Sequence, residues 1–529
     1  MDALEVTGLD ARRRIQERRS LDPLLPGDIA DCRPRIVVLG ELILDGWWSG
    51  SIDRLCREAP VPVFDVRSRE YSPGGGANTA VNLAAMGAEV SLFGLVGDDH
   101  DGRLLRNLLA QAGVDTRGVL AMSGGRTETK TRLTSDEQLL LRFDDGQRGQ
   151  AGGAAAAKVA EAQERLAAVV RQAVAGADAV IVCDYGQELL PLWLAGELRG
   201  WAPHQPFYVV DAHDASRWAA LEPDLITPNA SEAAGLAGVP AVDPYRRDEW
   251  VLAVAPKILA RTGARNLVVT LDRDGTVLVE GGEGSDAQNG LSRTDLSHRV
   301  GQSHRTWAHP VPNKQASGGG DTFVAALTVA RASGLPLPLC ADLAQMAADV
   351  AVHRPGTAVC STADLAEHLG DTPRKVVDSA RLLREVAEAR RQGLRIVLTN
   401  GVFDVLHRGH TSYLNQAKGL GDILVVAVNG DDSTRRLKGP GRPINPVTDR
   451  TALLASLGCV DYVTVFDSDT PIPLIESLRP DVYAKGGDYD AGSLAEAPVV
   501  EECGGRVAIL DYVPDHSTSA VVGRIQTSL

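Results

Sequence analysis

Two α/β domains, each built on a largely parallel sheet with helices on its faces, are what this sequence predicts. Three observations carry the prediction. Apolar strand-like runs alternate with helix-like runs along the whole chain. A breaker cluster, Leu369-Gly-Asp-Thr-Pro373, separates a long first block from a shorter second one. At 529 residues the chain is also long enough to hold two cores.

Residues 1–33 form an N-terminal extension whose stretch Ala11-Arg-Arg-Arg-Ile-Gln-Glu-Arg-Arg19 predicts a charged, solvated helix. The first domain is expected over residues 34–370. Its clearest strands are Ile36–Leu39, Val90–Phe93, Ala179–Val182, Phe207–Val210 and Leu267–Thr270, short apolar runs of the kind that parallel sheets bury on both faces. Residues 150–176 are rich in alanine and glycine with helical spacing, which predicts a helix after Gly153. Residues 281–306 are polar and read as a surface loop. Residues 371–392 form a helical linker whose amphipathic part runs from Val377 to Gln392. The second domain, 393–529, opens with the buried strand Arg395-Ile-Val-Leu-Thr399 and the helix Thr411–Lys418. The chain shows no internal repeat.

Composition removes several function classes. Lysine and arginine total 54 against 69 acidic residues, a net charge of −15, which argues against a nucleic-acid partner. Anionic substrates then require local cations or a metal rather than the global field. No apolar run approaches the ~18 residues of a membrane span, and no signal-peptide core precedes the charged N-terminal stretch. Seven scattered cysteines without a Cys-x-x-Cys pair read as reduced thiols, and the expected location is cytoplasmic.

The most informative stretch is Thr399-Asn400-Gly401-Val-Phe403-Asp404-Val-Leu-His407-Arg-Gly-His410, lying between the strand and the helix just named. Histidines three residues apart share a helix face, so both imidazoles point the same way at a helix N-terminus. Free N–H groups and the helix dipole favour phosphate there, and two imidazoles beside it suit attack on a phosphoryl group. A plain turn with two solvated histidines is the alternative. The His-x-Gly-His pattern resembles the cytidylyltransferase-type nucleotidyltransferase superfamily, which implies a Rossmann-like fold. The resemblance continues through Asn429-Gly-Asp431-Asp-Ser433, Lys438-Gly-Pro-Gly-Arg442, Arg450, Lys485-Gly486-Gly-Asp488 and Ser517-Thr518-Ser519. It implies His407 and His410 as catalytic. It implies a nucleotide and phosphate site at Thr399, Asn400, Gly401, Phe403, Asp404, Lys438, Arg442, Arg450, Lys485, Gly486, Asp488, Ser517, Thr518 and Ser519.

In the first domain, Ser317-Gly318-Gly319-Gly320-Asp321 precedes the apolar helical run Phe323–Ala332. Consecutive glycines let several N–H groups converge on one anion, and a helix starting at Asp321 adds its positive end. A carboxylate placed there can take a proton from an attacking hydroxyl, although an aspartate simply capping the helix fits the same letters. Pro73-Gly-Gly75-Gly76-Ala-Asn78, Gly40-Glu-Leu-Ile-Leu-Asp45 and Asn229-Ala-Ser-Glu232 extend the pattern. Together they resemble the ribokinase-like carbohydrate kinases. That resemblance implies Asp321 as general base, Gly318, Gly319 and Gly320 as anion hole, and a sugar site at Asp45, Gly75, Gly76, Asn78 and Lys130. It further implies Asn229 and Glu232 beside the Mg²⁺ of ATP, with Glu232 acting through water and no direct side-chain coordination. The chain departs from the family pattern at Asp184-Tyr185-Gly186-Gln187, where close relatives carry lysine in place of Gln187; Lys130, Arg132 and Arg142 are substitute cations.

Over nearly the whole chain the two halves resemble the bifunctional heptose 7-phosphate kinase and heptose 1-phosphate adenylyltransferase family of ADP-heptose synthesis. Glu58-Ala-Pro-Val-Pro-Val63 and Arg442-Pro-Ile-Asn-Pro446 add to the match. The resemblance implies sugar phosphates and ATP as small-molecule partners, Mg²⁺ as cofactor, and, by analogy with sugar kinases of this fold, a homodimer formed through a lid strand. Two alternatives stay open: the same folds acting on another sugar phosphate with CTP, and a non-catalytic sugar-phosphate sensor.

Overall fold

The computed structural model describes residues 3–18, 20–135, 138–146, 154–240, 247–281, 300–309, 316–370, 375–486 and 494–510. They form two compact units, Met1–Leu369 and Gly370–Leu529.

The first unit is organised by a nine-stranded sheet in the order Val300–Thr306, Thr276–Gly281, Asn266–Thr270, Leu225–Ile226, Phe207–Ala212, Ala179–Asp184, Arg35–Gly40, Glu89–Gly97, Asp115–Met122. Pairing is parallel from Asn266–Thr270 onward, and antiparallel for the first two strands. Alternation along Arg35–Gly40 decides what each face buries. Ile36 and Val38 pack with Phe323, Leu327 and Leu343 of the helices Gly319–Ala332 and Leu337–Val352. Val37 and Leu39 pack on the opposite face with Leu166 and Val170 of the helix Ala154–Val174. The strand order reverses beside Arg35–Gly40, and a crevice at the carboxyl ends of such strands is where open α/β sheets bind ligands. A second sheet of four strands, Pro62–Gly75, Leu42–Leu55, Glu128–Ser135 and Gln138–Asp145, adjoins that end.

The second unit holds five parallel strands ordered Tyr462–Phe466, Ile423–Asn429, Ile396–Gly401, Val482–Gly486, Arg506–Leu510. The first strand in sequence is central, and its neighbours run outward in both directions. This is the Rossmann-like arrangement, with its switch point between Ile396–Gly401 and Val482–Gly486.

Three expectations change. The N-terminal helix Ala3–Glu17 is charged on one side only: Ala11 and Ile15 are fully buried in the first unit's core, against Leu25 and Ile29. Arg12 bonds Asp178 at 3.0 Å and Arg14 bonds Asp28 at 2.7 Å, so the arginines tie the helix down instead of solvating it. The charge count hid a helix whose apolar face is four residues apart. Residues 300–306, read as loop, form the edge strand, in which Thr306 and Thr276 share a hydrogen bond at 2.7 Å; residues 282–299 lie outside the described residues. The helix Ser379–Arg391 is capped by Asp378 and is no mere linker, because Leu382, Val386 and Ala389 are buried with Ile396, Leu398 and Ile475 of the second unit.

Candidate functional site

In the first unit, parallel register sets Gly40, Cys183 and Asp211 side by side at the carboxyl ends of three neighbouring strands. Glu41, immediately past the first of these, accepts backbone N–H groups from Tyr185, Gln187 and Leu189 at 2.7, 3.1 and 3.3 Å. Those bonds hold the turn after Asp184, and with it the ring of Tyr185. Burial, with the nearby charge of Asp184, pushes Glu41 up to about 7.

Gly318, Gly319 and Gly320 stand at the start of the helix Gly319–Ala332, so Asp321 lies within its first turn instead of beginning it. Gly318 sits at φ +91°, and a Cβ there would meet the Asn78 amide nitrogen at 2.4 Å, so only glycine fits. Asp321 makes no capping hydrogen bond. Asn78 Nδ2 donates to its Oδ2 at 2.9 Å, and the Tyr185 hydroxyl lies 3.3 Å from its Oδ1. The capping alternative therefore fails on geometry. Burial pushes the carboxyl up to about 7, opposed by the Asn78 hydrogen bond and reinforced by the charges of Asp211 and Asp45.

Other residues expected in this site take more specific places. Asn78 donates to Asp321 through Nδ2 and accepts from Asn82 through Oδ1, so its amide holds the carboxylate in place. Asp45 is buried and already paired, with Arg132 at 2.8 Å and Thr357 at 2.9 Å. Arg132 also reaches Ser317 and lies over the Trp47 ring, which places a guanidinium where the sequence offered only a spare cation. Lys130 is the register partner of Asp45 on the next strand. Gly75, at φ +57°, caps the helix Gly76–Ala85, and Gly76 donates to the Glu41 carbonyl. Asn229 and Glu232 form a capping box on the helix Ala230–Ala237, and Glu232 also bonds His213 at 2.7 Å. Arg142 pairs with Asp144 at 3.0 Å. Glu41, Tyr185 and Asp211 were not among the expected site residues; a carboxylate ending an apolar strand, as in Phe207-Tyr-Val-Val-Asp211, was the signal available for the last.

In the second unit His407 is the N-cap of the helix Arg408–Lys418. The two imidazoles stack at 3.9 Å between centroids, and Phe403 closes on His410 at 5.4 Å. Burial and the adjacent His407 bring His410 down to about 4, so it is neutral near pH 7, and its Nδ1 is buried with no partner among the described residues. Phe403 adopts φ 49°, a left-handed conformation that costs a side-chain-bearing residue roughly 1–3 kcal/mol and tends to be kept at functional turns. A Cβ on Gly401 would lie 3.0 Å from that ring.

Around the histidines, Asn400 Oδ1 accepts from Tyr483 at 2.6 Å and from Lys485 at 2.9 Å, at the switch point of the sheet. Thr399 bonds the Tyr413 hydroxyl. Asp404 pairs with Arg442 at 2.6 Å and accepts the Ile444 N–H at 2.7 Å, which locks the segment Arg442–Asn445 beside the motif. Lys438 is exposed at the end of the helix Asp431–Lys438, and Gly486 ends its strand. Arg450 is corrected by the structure. It is fully buried and its guanidinium is taken up by the carbonyls of Asn445, Val402 and Asn429 and by Asp431 at 2.6 Å, so it fastens the site's walls and presents no free fork to phosphate. Asp488, Ser517, Thr518 and Ser519 lie outside the described residues.

All seven cysteines are unpaired, and Cys32, Cys183, Cys340, Cys360 and Cys459 are buried. No helix among the described residues is long and apolar enough to cross a membrane.

Comparison with known proteins agrees with the two α/β folds. The family model described as pfkB family carbohydrate kinase matches residues 34–364, and that described as cytidylyltransferase-like matches residues 398–516. The chain is 39% identical over 511 residues to the bifunctional protein HldE of Alkalilimnicola ehrlichii, covering 93% of this chain and 97% of that protein. It is 38% identical over 501 residues to HldE of Methylococcus capsulatus, covering 93% and 98%. With HldE of Alcanivorax borkumensis it shares 36% identity over 498 residues, covering 93% and 97%. The chain therefore belongs to the bifunctional HldE family, in which one polypeptide joins a carbohydrate kinase to a nucleotidyltransferase.

Proposed function

We propose that the chain makes a nucleotide-activated heptose in two separate steps. The first unit transfers the γ-phosphoryl group of ATP to the anomeric hydroxyl of heptose 7-phosphate. The second lets an oxygen of heptose 1-phosphate attack the α-phosphorus of ATP, releasing pyrophosphate and ADP-heptose. The observation that supports this reading is the presence of both reaction centres in one chain: Asp321 held beside the glycine turn, and the His407–His410 pair at a helix start.

In the kinase, Asp321 accepts the proton of the attacking hydroxyl while the Gly318–Gly320 backbone faces the transferred phosphoryl group. Arg132, beside Asp45, supplies the cation that the missing lysine leaves wanting. Mg²⁺ keeps most of its waters when bound to nucleotides, so it needs acceptors more than a closed set of ligands. Glu232 fits that need: each carboxylate oxygen makes one hydrogen bond, to His213 or to the Asn229 N–H, and keeps a second lone pair for a water. When bound, the ion offsets phosphate charge. In the transferase, His407 and His410 steady charge on the α-phosphate, and Lys485 and Arg442 hold the flanking phosphates. We infer a cytoplasmic location, where both phosphorylated substrates would be held.

Subunit pairing fits the exposed apolar edge strand Gln138–Asp145, on which Leu139 is 50% and Leu141 56% exposed. A homodimer formed there should dissociate in sedimentation experiments when Leu139 and Leu141 are both replaced by Lys; an unchanged mass would remove this strand as the contact.

A substrate panel on the full-length protein tests the main reading, with ADP and pyrophosphate release followed separately. Heptose 7-phosphate should stimulate ADP release, and heptose 1-phosphate with ATP should yield pyrophosphate. Pyrophosphate formed with CTP but not ATP would assign the second site to a cytidylyl transfer. Absence of any sugar-stimulated turnover would leave the sensor reading.

A further inference from the structure

The Tyr185 hydroxyl lies between two carboxylates, 2.9 Å from Asp211 Oδ2 and 3.3 Å from Asp321 Oδ1. Each carboxylate has its other oxygen fixed by a separate donor. Asn78 Nδ2 serves Asp321 Oδ2 at 2.9 Å, and the Thr227 hydroxyl serves Asp211 Oδ1 at 3.1 Å. A phenol has one proton to donate. It can satisfy one of the two facing oxygens; the other must carry a proton of its own or face a lone pair. The array Asp321–Tyr185–Asp211 is therefore complete only with one additional proton, and that proton has two resting places, one on each carboxylate.

We propose that Tyr185 is a positioning residue of the kinase reaction, whose hydroxyl couples Asp321 to Asp211 and passes to Asp211 the proton that Asp321 takes from the sugar. The inference rests on Asp321 acting as base. The step balances as follows. The sugar O–H bond breaks as its oxygen bonds the γ-phosphorus, the bond from that phosphorus to the ADP oxygen breaks, and the proton arrives on Asp321. Asp321 then donates to the phenol oxygen while the phenol donates to Asp211. Asp321 is ionised again, Tyr185 is unchanged with its hydroxyl reoriented, and Asp211 carries the proton until products leave. No oxidant or further reactant is needed.

The position of the ring is independently secured. Glu41 fixes the backbone on either side of Gly186 through the N–H groups of Tyr185 and Gln187, and the ring edge rests against His213 at 5.5 Å. The charged and titratable groups facing the array are Asp45, itself paired with Arg132, the Cys183 thiol beneath, and the His213–Glu232 pair beyond Asp211. None of them sits between the two carboxylates.

Two variants of the full-length protein test the proposal, Tyr185→Phe and Asp211→Asn, each read as kcat, KM and the pH profile of kcat/KM for sugar-dependent ADP release. Tyr185→Phe keeps the ring and removes the proton. Its kcat should fall by at least about tenfold with KM for sugar and ATP within about twofold, a loss smaller than removing the base itself. Asp321 then loses a donor, so the acid limb should move to higher pH. Asp211→Asn removes a negative charge beside Asp321, so kcat should again fall while the acid limb moves to lower pH. Opposite displacements are what a merely structural role would not produce. An unchanged kcat in Tyr185→Phe, or acid limbs moving the same way in both variants, overturns the proposal. If Tyr185→Phe fails to bind ATP, the direction of the Asp211→Asn limb decides alone. Should Asp321→Asn be inactive while Tyr185→Phe behaves as wild type, the base assignment stands and the coupling falls; active Asp321→Asn removes both.

Discussion

Asp321→Asn should lower sugar-dependent ADP release by about 10²–10⁴-fold, the scale of a lost general base, while pyrophosphate release by the second domain stays at the wild-type rate. The side chain keeps its size and its Asn78 contact, so the loss reports the proton acceptor and not the fold. The wild-type pH profile gives a second reading. Asp321 accepts a proton only when ionised, and burial holds its carboxyl up to about 7. Activity expressed as kcat/KM should therefore decline as pH falls through that value, well above the range of an ordinary carboxylate. A profile flat down to pH 5, roughly the top of that ordinary range, or an active Asn variant, would contradict the assignment.

His410→Ala should cut pyrophosphate release by about 10²–10³-fold and leave the kinase untouched. The two imidazoles stack at 3.9 Å, and the neighbouring His407 helps keep His410 neutral. A group brought down to about 4 stays neutral above about pH 5, so His410 acts as a neutral hydrogen-bond partner for the phosphate. The transferase profile should carry no His410 limb between about pH 5 and 8. Simultaneous loss of both activities in a folded His410→Ala protein would defeat the assignment of one reaction to each domain.

The two sites were legible to different depths. His407, His410 and the glycine turn before Asp321 announced themselves because phosphate chemistry requires small residues and paired donors at fixed short spacing. Local sequence carries that information well. Asp321 as base, against Asp321 as a helix cap, was not decidable from its neighbours in the chain. Asn78 and Tyr185 take up its oxygens in place of a capping bond, and both come from distant segments. Arg450 misled for a related reason: a cation near phosphate-binding motifs reads as a ligand, yet four protein acceptors surround it. The N-terminal helix misled through its charge, since Ala11 and Ile15 are too few to outweigh five arginines by composition, although they suffice to bury one face.

By itself, then, the sequence determined that this chain carries two α/β domains with a kinase-like glycine turn and a His-x-Gly-His transferase motif. Periodicity and spacing are local properties, written within a few turns or strands. Only the tertiary structure decided that Glu41 holds the Tyr185 turn, that Arg132 faces Asp45, and that one phenol is shared by Asp211 and Asp321. Parallel strands bring Gly40, Cys183 and Asp211 into one row from positions far apart along the chain. Desolvation at that shared edge then sets which carboxylates keep their protons near neutral pH.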